Sequence, residues 1–183
     1  RGSSFIRKAG TVILLSSIVI WFLSSFGVSE GSFAMVEDPA QSLLAVLGSG
    51  IAWVFTPLGW GDWKAAVATI TGLVAKENVV GTFGVLFGAG EVTEAGAEIW
   101  SQIAAYFTPF SGYSFLIFNM ICAPCFAAIG AIRREMNSGK WTAFAVGYQT
   151  VFAYALALIY YQIALWLKGN VFNVWTGIAL VLL

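Results

Sequence analysis

Histidine is absent from the 183 residues. Without an imidazole the chain builds no His-ligated haem, no two-histidine facial triad, and no Ser-His or Cys-His catalytic pair. Charge is scarce as well: 10% of residues are charged, against about 25% in an ordinary soluble domain. Nine basic residues balance nine acidic ones, so there is no basic surface to hold nucleic acid. The two cysteines, Cys122 and Cys125, lie in an apolar run and are not the disulfide staples of a small secreted domain. No G-x-x-x-x-G-K-[ST] occurs, which excludes a phosphate-cradling loop and a nucleotide site from these residues. What the chain has in abundance is apolar surface: 59% of it is hydrophobic and its mean hydropathy is +0.84. That composition specifies an all-α fold, a polytopic transmembrane helical bundle in a lipid bilayer.

Residues 5–26 read as a first span, long enough for about 30 Å of hydrocarbon, with Arg1, Arg7 and Lys8 placing its start in the cytoplasm. The loop carrying Glu30, Glu37 and Asp38 is then external. Residues 41–55 are apolar but short and broken by Gly48 and Gly50, which predicts an interfacial or re-entrant helix. Residues 56–62, TPLGWGD, form a turn, with Trp60 and Trp63 suited to the membrane interface.

The stretch from Ala65 to Gly88 organises the rest. Lys76 and Glu77 sit in its otherwise uncharged middle, where an ionised group costs roughly 2.5–3.5 kcal/mol on insertion scales. Gly72, Gly81, Gly84 and Gly88 supply places for the backbone to bend or for a helix to approach closely. The expectation is a broken or re-entrant element lining a polar cavity. Glu77 is then a cation ligand or proton acceptor, with Asn78 adding an amide carbonyl; the plainer reading is a neutralising pair with Lys76 or with other helices.

After an acidic connection with Glu91, Glu94 and Glu98, residues 113–132 form a second interrupted helix. Pro124 has no amide hydrogen, so the Met120 carbonyl loses its helical partner and needs another donor or a cation. Cys125 offers a soft sulfur suited to a borderline metal such as Fe(II), or simply a small hydrophobe. Cys122 and Asn119 extend the same helical stripe. Cys122 and Cys125 also have C-x-x-C spacing, which leaves open a membrane thiol oxidoreductase using both. Arg133, Arg134 and Lys140 put the end of this helix in the cytoplasm. Residues 141–167 form a long span whose Tyr and Gln residues hydrogen-bond between helices, and residues 171–183 begin a last one. For the termini to agree, residues 39–88 cross the membrane an even number of times: 41–55 and 65–88 both span, or both are re-entrant.

The segments PLGWGDWK (57–64), GLVAKENVVGTFGVLF (72–87), PCFAAIGAIRRE (124–135) and GYQTVFAYALALIYYQ (147–162) occur in this order. Together they resemble the C-terminal half of the membrane domain of the bacterial ferrous iron transport protein B (FeoB) family, including its second gate motif. The resemblance implies Fe(II) transport across the bacterial inner membrane, with Fe(II) as cargo and no tightly bound cofactor. It implies a GTP-hydrolysing G domain and a first gate half elsewhere in the same polypeptide, and small accessory Feo proteins as partners; a homo-oligomer is left open. It also implies that Cys125 is the gate cysteine and Glu77 the acidic residue of the family's (K/R)E-x-V-V-G-T run. Glu77 and Cys125, with Asn78, Asn119 and the Met120 carbonyl, are the expected ion path. Residues 1–183 are accordingly expected to be one transmembrane fragment, starting without Met at an RGSS compatible with a tag and truncated within its last apolar run. Such a fragment is no enzyme by itself and binds GTP only through the absent G domain. A related gate-domain membrane protein with a non-iron substrate is the remaining alternative.

Overall fold

A computed structural model of the protein describes residues 11, 15, 18, 19, 21–29, 32–36, 39–74, 76, 78–87, 96–169 and 171–183. The expected first span and Glu91 and Glu94 lie largely or wholly outside these residues, and so does Glu77. The architecture is helical, with one addition that the sequence did not announce. Phe26–Ser29 (β1) and Ser32–Met35 (β2) pair antiparallel, Phe26 opposite Met35, in the segment expected to be a plain loop.

Helix α1, Leu43–Phe55, starts where the Ser42 hydroxyl accepts from the Ala45 amide at 3.1 Å, satisfying one of the donors that a helix start leaves free. A 3-10 turn over Thr56–Leu58 follows, and α2, Trp63–Val74, leaves at a bend of 100°. Two glycines make the bend possible. Gly59 has φ +88°, and a Cβ there would stand 2.1 Å from the Tyr161 ring; a Cβ on Gly61 would meet the Thr56 backbone at 2.6 Å. Only a residue with no Cβ fits both.

The next break falls between α2 and α3, Asn78–Leu86, with Lys76 in a turn. The 65–88 segment is interrupted, as expected, but at Lys76 and not at a glycine. Gly72 lies inside α2, where a Cβ would be 2.7 Å from Val79 Cγ2; it lets α3 pack back on α2. The Thr71 and Thr82 hydroxyls join the same two helices at 2.7 Å.

A 3-10 turn, Ala97–Ile99, leads to α4, Trp100–Tyr106. Then α5, Pro109–Ile121, and α6, Phe126–Met136, form one interrupted rod, and α7, Gly139–Leu167, runs back along it before α8, Val174–Leu182. Pro109 occupies the first turn of α5, where no amide hydrogen is needed. Arg133 and Arg134 lie in the last turn of α6, complementing the negative end of its dipole. Among the described residues two elements are long and apolar enough to cross a membrane, Pro109–Met136 and Gly139–Leu167, or three if the bent pair of α1 and α2 is one broken span.

The core is aromatic around the bend. Trp60 stacks on Phe55 at 4.2 Å and lies edge-on to Phe115 at 5.1 Å, within the favourable range for ring pairs. Trp60 is only 3% exposed, so its expected place at the membrane interface is corrected: the two glycines fold the turn inward and carry the indole into the bundle. On α7, Ala153 and Ala157 are fully buried, and the Ala157 carbonyl accepts from Ser114 on α5 at 3.3 Å. Small residues at the crossing let the backbones approach, the usual solution where lipid leaves little hydrophobic drive between helices.

Candidate functional site

The α5–α6 interruption begins earlier than its proline. Helix α5 stops at Ile121, and Cys122, with φ −58° and ψ 173°, is already extended. Pro124 explains this: it lacks a hydrogen for the Met120 carbonyl and drives the preceding residue away from helical ψ, so unwinding reaches back toward Cys122. Helix α6 restarts after Cys125, whose backbone is extended and whose side chain makes no capping bond. The carbonyls at the end of α5 therefore face the gap without their i+4 amides.

Lys76, in the α2–α3 break, reaches this gap. Its ammonium donates to the Asn119 main-chain oxygen at 2.7 Å and to the Cys122 sulfur at 3.1 Å. The two breaks in the chain thus meet, and a charge that the sequence left without a role bridges them. Asn119 is 7% exposed. Its Nδ2 donates to the Phe115 carbonyl at 2.9 Å and to Thr69 Oγ1 at 3.4 Å, while its Oδ1 is buried with no hydrogen-bond partner. That oxygen faces the α2 backbone, 3.9 Å from where a Gly72 Cβ would stand.

The predicted residues divide. Asn119 is in the cluster. Asn78 is half-buried at the start of α3, two residues beyond Lys76. Cys125 is half-buried at the head of α6. The Met120 side chain is 81% exposed and points away from the core, leaving only its carbonyl as a candidate. Glu77 falls outside the described residues. Cys122, not among the residues of the expected ion path, is the buried sulfur that touches Lys76. Its i+3 spacing from Asn119 was the signal for it. Among the described residues, no three His, Cys, Asp or Glu side chains gather as a metal cage. Both cysteines are free thiols.

A second polar contact braces the bend from the other side. Tyr106 on α4 donates to the Asp62 carboxylate, which also accepts from the Lys64 amide at 2.9 Å. Burial first, and Asp62 second, push the Tyr106 hydroxyl well above the usual phenol range, so it stays a donor. Further on, Tyr154 donates to the Val54 carbonyl at 2.7 Å and Gln162 to the Pro57 carbonyl at 2.6 Å. These are the inter-helical bonds expected of α7, whereas Thr150 bonds locally to Val146 and Tyr148 is exposed.

Apolar spans, a bent helix pair and two interruptions converging on buried polar groups define a multi-pass helical membrane protein. The chain belongs to the Gate family, described as nucleoside recognition, whose model matches residues 6–139. Its relatives include the Fe(2+) transporter FeoB of Methanocaldococcus jannaschii, 41% identical over 159 residues, covering 85% of this chain and 23% of the relative. The Fe(2+) transporter FeoB of Staphylococcus aureus (strain COL) is 39% identical, covering 89% and 23%, and that of Helicobacter pylori is 33% identical, covering 85% and 29%. The family resemblance read from the four segments is therefore to these same proteins. The chain spans about a quarter of the length of the relatives it matches. No solved structure matches it.

Proposed function

We propose that this chain forms part of the ion path of a Fe(II) transporter, in a bacterial cytoplasmic membrane, together with a G domain and a first gate half in the same polypeptide. The observation that carries the reading is the meeting of the two helix breaks, where unpaired carbonyls, an amide and sulfur replace the helix bonds. Those are ligands that a borderline soft divalent ion accepts in place of water, and a helix end lining a cavity is where irregular backbone is tolerated at membrane depth. Relatives named as Fe(2+) transporters favour iron over the nucleoside of the family description. In this path Cys125 and Glu77 are the principal ligands, with Asn78, Asn119 and the Met120 carbonyl assisting.

Cys125→Ser and Glu77→Gln, each made in the intact transporter, abolish ferrous uptake in cells lacking other iron importers. Uptake at the wild-type rate by both variants overturns the site assignment.

A further inference from the structure

We propose that the Lys76 ammonium is a tethered cation seated in a second metal subsite, formed by the Asn119 carbonyl and the Cys122 sulfur, and that it must swing out before Fe(II) binds there. The inference rests on reading the chain as a Fe(II) path and assigns that path a competitor built into the chain. Three observations converge on it.

The Asn119 carbonyl lies in the last turn of α5. The interruption removes its helical partner at position 123, and the negative end of the α5 dipole adds to its pull on a cation. The Lys76 ammonium occupies that position at 2.7 Å, with Cys122 sulfur as its second acceptor at 3.1 Å. An oxygen and a sulfur that together hold an ammonium are also a donor pair for a soft divalent ion. The third observation is independent of Lys76. Asn119 Oδ1 is buried and unpartnered, although buried polar atoms almost always find a partner. It belongs to the same residue as the carbonyl and faces Gly72, one helical turn before Lys76. A cation larger in charge than an ammonium would draw on it as a third ligand.

Lys76 is placed to exchange. It sits in the break, not in a helix, and its side chain crosses the gap on flexible methylenes. While seated it repels an incoming Fe(II). Once it withdraws, Fe(II) takes the carbonyl and sulfur, and the Cys122 thiol proton passes to water as the metal binds. Replacing one cation by another also limits the charge that accumulates between the two breaks.

The test uses the intact transporter in lipid nanodiscs under anaerobic conditions. Alkylation of Cys122 and of Cys125 by N-ethylmaleimide is followed separately by peptide mapping as Fe(II) is titrated. Lys76→Met and Lys76→Gln lower the Fe(II) concentration that half-protects Cys122 by tenfold or more, whereas Lys76→Arg, which keeps a tethered cation, stays near wild type. Lys76→Gln keeps an N–H for the Asn119 carbonyl without the charge, so it separates lost charge from lost packing. Equal half-protecting concentrations in wild type, Lys76→Met and Lys76→Gln overturn the proposal. So does a Cys122 that Fe(II) protects in none of them. Protection of Cys125 alone leaves the Fe(II) path standing and removes only this subsite; protection of neither cysteine removes both.

Discussion

Gly59 shows how one residue decides the position of many. Its φ of +88° lies in the left-handed region, and its α-hydrogen faces the Tyr161 ring at a distance no Cβ could occupy. Gly59→Ala therefore meets a backbone penalty of about 1–2 kcal/mol and an overpacking penalty of about 1–3 kcal/mol. Thermal unfolding in detergent should show a loss of about 2–5 kcal/mol, and adding Tyr161→Leu should recover the steric share but not the backbone share. Full recovery in the double variant would mean that φ carries no cost here. At this scale the sequence marked the glycine as a turn residue but not its neighbour, because Tyr161 lies about a hundred positions away along the chain. Lys76 is the complementary case. Its charge was conspicuous in an apolar stretch, yet its partners, Asn119 and Cys122, became visible only when α5 was set against the α2–α3 break.

Among the elements, α7 acts as the strut to which the bend is tied. Gln162 reaches the Pro57 carbonyl and also accepts from Thr176 at 3.3 Å, so one side chain links α7 to the turn and to α8. Gln162→Leu leaves the buried Pro57 carbonyl without its donor, a loss of about 1–3 kcal/mol. Hydrogen exchange should locate it: the Gly59 amide, bonded to Thr56, exchanges faster, while amides of α5 keep their protection. Uniform acceleration across the bundle would instead mean that the turn does not open by itself. Helix existence and type were legible here from hydropathy and from Pro124. The ends were less so. The 65–88 break moved from the glycines to Lys76, and the α5 stop moved from Pro124 back to Ile121, because a proline restricts the residue before it. The β1–β2 hairpin was missed because each strand has four residues, the shortest run in which alternation registers.

For the whole molecule, the two long spans run antiparallel. Their ends coincide where Lys168, just beyond α7, lies 4.8 Å from the ring of Phe110 at the start of α5, while Met136 and Gly139 meet at the opposite end. Arg133, Arg134 and Lys140 cluster at that second end, so the positive-inside rule predicts that it faces the cytoplasm. In the intact protein, Lys140→Cys should react with a membrane-impermeant maleimide only in inverted vesicles, and Lys168→Cys only in intact spheroplasts. Labelling of both from one side would refute a full crossing by α7. The same experiment with cysteines at residues 39 and 64 decides whether residues 41–55 and 65–88 both span or are both re-entrant, the alternative that hydropathy left open.

The sequence by itself determined the solvent, the helical class and which segments are interrupted, because a bilayer admits few backbone solutions and both charge and proline are conspicuous inside one. It also carried the family, since PLGWGDWK and PCFAAIGAIRRE are long enough to be specific. Tertiary structure alone decided that Trp60 is core and not interface, that Cys122 meets Lys76 in the gap, and that Lys76 joins the two breaks. Each of these depends on which distant backbone a side chain meets, and in a membrane, where apolar residues are equally content against lipid or protein, composition does not say which side of a helix is buried.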